Sequence, residues 1–143
     1  MTIFNGLLDS EVSGWAEVLA HRSDDAAIAA VKTRFVEAGV PLELVADTLR
    51  DGGDALHRAA ASGHPDWTAR FGGLLAVALL AGEVAAYSSH LVARASAVRS
   101  VAVDSLLEDF SAVSVAAKLG VSRQKVYEIG RGGARLRESR TRP

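Results

Sequence analysis

No cysteine occurs in the 143 residues, which excludes disulfides and cysteine-bound zinc or iron–sulfur centres. That absence is compatible with a reducing cytoplasm, the compartment expected for this chain. Only three prolines interrupt a sequence rich in alanine, leucine and valine. No segment alternates apolar and polar residues as a half-buried strand would. Together these deficits predict an all-α fold. Aromatic residues are scarce, and Trp15 and Trp67 are expected in a core or an interface rather than around a ligand. The start, MTIFNGLLDSE, lacks the basic residues that open a secretory signal.

Catalytic groupings are missing too. His21, His57, His64 and His90 share no helix face with one another at ligand spacing. Gly63 and Pro65 interrupt the helix that would be needed to align His57 with His64. Gly52-Gly53, Gly72-Gly73 and Gly132-Gly133 lack the flanks of a phosphate-binding loop. No spacing suggests a serine–histidine–aspartate set. Asp51 and Asp54 sit either side of a turn, where they suit helix caps better than acid catalysis. The expectation is no enzyme, no metal and no cofactor. No ligand can be named.

One long apolar run needs a decision. Gly72 to Ala86, GGLLAVALLAGEVAA, is short of the roughly 20 residues that span a bilayer. It contains Glu83 and follows Arg70. It is read as a soluble helix, apolar all round and therefore buried on all sides, at the centre of a bundle or in a dimer interface. The helix around it is expected over 66–99, breaking or emerging within Tyr87 to His90 where serines and arginines begin.

The net charge of −1 conceals an uneven distribution. Residues 1–110 carry 8 Lys/Arg and 15 Asp/Glu, a net of −7, while residues 111–143 carry 8 Lys/Arg and 2 Asp/Glu, a net of +6. A basic module on an acidic body is what contacts to phosphates require.

The basic third begins where a compact pattern begins. Ala112 to Arg131, AVSVAAKLGVSRQKVYEIGR, reads as two short helices and a turn. The first runs over 112–119 with Ser111 as its cap. Gly120-Val121 turn the chain, and Ser122 caps a second helix ending near Ile129. Val115 and Leu119 lie four apart, Val126 and Ile129 three apart, and Val121 closes the corner. A helix over 103–110 precedes the pair, with Leu106, Leu107 and Phe110 expected against Val115, Leu119 and Val126.

On Val115, Ala116, Leu119, Gly120, Val121, Val126 and Ile129, this stretch resembles the helix-turn-helix of DNA-binding proteins, in its homeodomain-like three-helix form. The resemblance implies that the second helix enters the major groove of double-stranded DNA. By position it assigns base contact to Ser122, Arg123, Gln124 and Tyr127, flanked by Lys125, Glu128 and Arg131. Arginine can pair with guanine and glutamine with adenine. Because one such motif covers few base pairs, the resemblance also implies a homodimer.

Elsewhere, punctuation sets shorter helices. Ile3, Phe4, Leu7 and Leu8 suggest a docked lead-in, and Ser10 a cap for a helix over 11–21. Ser23 is expected to cap a helix over 24–38 whose buried face is Ile28, Val31, Phe35 and Val36. Pro41 opens a helix to Arg50 with Leu42, Val45, Ala46 and Leu49 inward, and the Asp51-Gly52-Gly53 break precedes another over 54–62. After Arg131, the glycines and the arginines Arg135, Arg137, Arg140 and Arg142 read as a basic tail, disordered when free or laid along phosphates.

The sequence thus predicts an acidic helical body (1–100), a helix-turn-helix unit (101–131) and a basic tail (132–143). It predicts a small dimeric transcriptional regulator with no membrane partner. The DNA contacts would be Ser122, Arg123, Gln124, Lys125, Tyr127, Arg131, Arg135 and Arg137. The alternative is a protein-interaction module, adaptor or antitoxin-like, whose helical hairpin binds protein.

Overall fold

A computed structural model describes residues 14–141. The expected lead-in and the Ser10 cap lie outside the described residues. Among those described, every regular element is helical. A helical segment over 14–18 is followed by α1 (Asp25–Glu37), α2 (Leu42–Arg50) and α3 (Asp54–Ala61). A 3-10 turn (Ala69–Phe71) leads to α4 (Leu74–Asp109), α5 (Ala112–Leu119) and α6 (Arg123–Thr141). The chain divides into two compact units between His90 and Leu91, ten residues before the expected end of the helical body at 100.

In the first unit, local chemistry sets the helix ends. Asp24, not Ser23, caps α1, because its extended backbone lets Oδ1 accept from the Ala27 N–H at 2.8 Å. Asp51 turns back on its own loop. Its carboxylate accepts from the backbone N–H of Gly53 at 2.8 Å, Asp54 at 3.1 Å and Ala55 at 3.2 Å, which makes it a cap for α3. Gly53 takes a left-handed φ of 81° at this bend. The core gathers Trp15, Leu19, Val31, Phe35, Val45 and Leu80. Trp15 stacks on Phe35 with centroids 6.0 Å apart. Burial of each such side chain contributes about 1.5–3 kcal/mol. Val36, expected inward, is 56% exposed, since α1 buries only the Val31–Phe35 stripe.

α4 departs from expectation in three ways. It begins at Leu74 rather than near Asp66, because Gly72 and Gly73 hold left-handed φ values of 106° and 108° that a helix cannot continue. It runs unbroken through Tyr87 to His90, since no proline or glycine interrupts it after Gly82. Finally, it is not buried on all sides. Ala76, Leu80 and Glu83, at helical spacing, are buried, while Leu74 and Leu75 are 74% and 67% exposed. The rise in polarity near Ser88 therefore marks a change of surface, not a break. By length and composition alone α4 could cross a membrane, and only 17% of its most apolar window is buried.

Glu83 is the lone acid within that apolar run, and it is 2% exposed. Arg22 grips it in a fork. Nε donates to both carboxylate oxygens at 3.0 Å, and Nη2 donates to Oε2 at 2.8 Å and also to Oε1. His21 lies behind this pair, its Nε2 3.5 Å from Glu83 Oε2 and without a hydrogen-bond partner. Tyr87 meets the His21 ring edge-on at 5.2 Å, and His90 lies at 6.3 Å. Burial holds the His21 imidazole below its ordinary pKa of 6.5, against the opposing pull of Glu83.

In the second unit, the end of α4 packs with α5 and α6. Val103, Ala112, Val115, Ala116, Val126 and Ile129 are buried together, with Leu107 and Val121 against them. Leu106, Phe110 and Leu119 do not join them and are 38%, 50% and 44% exposed. The inward stripe of α4 is Val103–Leu107, four residues apart. Leu106 and Phe110 fall on the next stripe, where they border a shallow cleft with Leu119. Lys118 Nζ sits 5.6 Å from the Phe110 ring centroid.

Candidate nucleic-acid interface

The turn between α5 and α6 follows from three residues. Ser111 Oγ accepts from the Ser114 N–H at 3.1 Å and starts α5. Gly120 ends it with φ 71°, and the N–H groups of Gly120 and Val121 both donate to Ala116 O, at 2.9 and 3.1 Å. Ser122 Oγ accepts from the Lys125 N–H at 3.1 Å and starts α6. The Ser122 hydroxyl is thus already a cap, though it keeps a proton to donate.

α6 then divides cleanly. Val126, Ile129, Gly130 and Gly133 are buried. Ser122, Arg123, Gln124, Lys125, Tyr127, Glu128, Arg131 and Arg135 are exposed. At 100° per residue, Gln124, Tyr127, Arg131 and Arg135 share the side opposite the buried stripe, with Arg123 at its edge. Lys125 and Glu128 lie beside them, paired at 3.8 Å. The outward face and its edges therefore carry four cations, one carboxylate, one amide and one phenol.

The tail is not separate from this helix. α6 continues past Ile129 to Thr141. Gly132 and Gly133 do not break it. They let it approach α4 where a side chain could not, since a Cβ at Gly133 would lie 2.0 Å from Ser100 O. Gly130 likewise faces Leu107, at 3.1 Å from its position. Arg137 turns toward α4. Its Nη1 donates to Asp104 Oδ2 at 2.8 Å and Glu108 Oε1 at 3.1 Å, and Nη2 donates to Ser105 Oγ at 2.9 Å. The Glu108 and Asp104 bonds raise its pKa above the ordinary value. Arg137 is therefore a clamp between helices in this structure. The Arg140 side chain and Arg142 lie outside the described residues.

Other predicted residues stay apart from this surface. His57 and His64 are exposed on or just after α3, and no group of metal-ligating side chains occurs among the described residues. Trp67 is half-buried and borders an open groove with Arg58, His64 and Arg70. Sequence reasoning missed the Arg22–Glu83–His21 cluster, although the lone acid in an apolar run was its signal. No protein-family model, curated protein or solved structure matches the chain.

Proposed function

We propose that the α5–turn–α6 segment is a helix-turn-helix. On this reading the protein is a small dimeric transcriptional regulator in the cytoplasm, binding double-stranded DNA. The observation that carries it is the outward face of α6. Arg123, Gln124 and Tyr127 stand exposed in its first turns while Val126 and Ile129 anchor the same turns inward. A helix so anchored offers its N-terminal side chains to a groove without disturbing its own core. Arg123 can pair with guanine O6 and N7, and Gln124 with adenine N6 and N7. Arg131 and Arg135, further along the same side, suit phosphates. The concentration of cations in the last 33 residues of an otherwise acidic chain gives that approach its direction.

The test starts from duplexes selected out of a random pool. Arg123→Ala with Gln124→Ala should lose about 1–3 kcal/mol of specific affinity per bidentate contact, with helicity unchanged. Unaltered affinity in the folded variant rejects the assignment. A second reading, a protein-binding module, draws on the exposed cleft of Leu106, Phe110 and Leu119 beside Lys118. Mobility shifts on generic DNA at low and high salt separate the two, since only the DNA reader shows a salt-sensitive shift.

A further inference from the structure

Within the second unit, α4 has two opposite faces. Ser100, Val103 and Leu107 face α6, beneath Gly130 and Gly133. At 100° per residue, Leu91, Ala95, Val98 and Ala102 fall on the far side, within about 60° of one another. All four are exposed, Leu91 by 40% and Val98 by 71%. Val92 and Val101 widen this stripe, and Arg94 and Arg99 edge it. Leu136 and Arg137 of α6 border it beside Val98 and Ala102, and Leu91, Ala95, Val98 and Ala102 stay exposed.

The spacing of four, three and four is that of the apolar seam between two paired helices. The order of sizes is the informative part. It runs large, small, large, small. A parallel pairing in register would set leucine on leucine and alanine on alanine, leaving gaps at every second layer. An antiparallel pairing about a twofold axis between Ser96 and Ala97 does the reverse. Leu91 then meets Ala102 of the partner subunit, and Ala95 meets Val98 of the partner subunit. Every layer sets a large side chain against a small one, which is how closely packed surfaces fill space. A stripe complementary to its own reversal has the property that an isologous interface demands.

We propose that a second copy of this chain docks antiparallel on Leu91, Ala95, Val98 and Ala102. The seam lies in the second unit, not in the Leu74–Val84 run. About 6.5 residues separate Val103 from the axis, so the two copies of Val103 stand roughly 20 Å apart along the pair. The first turns of each α6, anchored by Val126, Ile129 and Gly130 on Val103 and Leu107, lie on the side of α4 away from the seam. Arg123, Gln124 and Tyr127 are left open, while Leu136 and Arg137 border the Val98–Ala102 end of the seam. The inference deepens the dimeric part of the DNA-reading proposal but stands on different residues.

The full chain has no cysteine, so an introduced one is its only thiol. Ala95→Cys and Val98→Cys proteins are mixed without DNA, oxidised and resolved by mass. The mixed 95–98 disulfide should exceed both self-linked products several-fold. Dominant 95–95 and 98–98 products would indicate parallel pairing and overturn the proposal. In sedimentation, Val98→Asp should weaken self-association about 30-fold or more, while Leu74→Asp leaves it unchanged. A wild-type chain that stays monomeric, or one dissociated only by Leu74→Asp, also overturns it. Unaltered operator binding in the Arg123/Gln124 variant with the 95–98 link intact would reject only the DNA assignment.

Discussion

Arg22 and Glu83 share an ion pair but not an environment. The Glu83 side chain is 2% exposed and the Arg22 side chain 31%. The consequences of removing either are therefore unequal. Arg22→Met leaves a carboxylate buried without a counter-charge, a loss of about 3–5 kcal/mol. Glu83→Met leaves a guanidinium that can turn to water, and its loss should be clearly smaller. Urea unfolding of the two variants checks the order. His21, beside them, makes a pH prediction. Its folded pKa lies below 6.5, so the unfolded chain binds the proton more readily. The stability associated with the neutral ring is complete above pH 6.5 and is lost as pH falls through the lowered folded value. Carboxylates titrate in the same region, so the readout is a difference. His21→Gln should show a flatter fall in melting temperature below pH 6.5 than the parent. Parallel curves would show that the buried ring is not responsible.

At the level of the elements, glycine has opposite meanings in two helices. Gly82 lies within α4 with nothing near its Cβ position. Gly82→Ala should stabilise by about 0.5–1 kcal/mol, the helix-propensity gain alone. Gly133 lies within α6, where the same methyl would strike the Ser100 carbonyl. Gly133→Ala should cost about 1–3 kcal/mol net despite a similar propensity gain. Thermal unfolding of the pair distinguishes a glycine left open from one that admits a neighbouring helix. The same contact explains why the tail was misread. Two adjacent glycines and a run of arginines look like the end of a helix, and only the backbone of α4 shows what the glycines are for. α5 and its turn were legible because Ser111, Gly120 and Ser122 act on atoms within five residues of themselves. Phe110 and Leu119 meet at a cleft rather than in the core, because helical spacing gives a stripe but not how deeply a neighbour covers it.

For the molecule as a whole, charge distribution is the property that DNA binding would use. The proposal separates two arginines that look alike in sequence. Arg135 is exposed on the outward side of α6, whereas Arg137 is engaged by Asp104 and Glu108. Arg135→Gln should weaken binding evenly across sequences and reduce the salt slope by about 0.9. Arg137→Gln should leave that slope unchanged and lower the melting temperature instead. Titrations across a salt series measure the first and thermal unfolding the second. Removal of residues from Gly133 onward would not isolate phosphate contacts, because it also strips α6 from α4.

The sequence by itself determined the all-helical character, the caps and turn of α5 and α6, and the charge gradient along the chain. Each depends on composition or on residues within a few positions of one another. Tertiary structure decided what no local pattern could. It placed Glu83 under Arg22 across 61 residues, carried α4 unbroken between two units, and joined the basic tail to α6. It also left one side of α4 bare. Periodicity records that a residue is apolar, but its partner is set by the packing of distant segments, and Leu91, Ala95, Val98 and Ala102 stay exposed among the described residues.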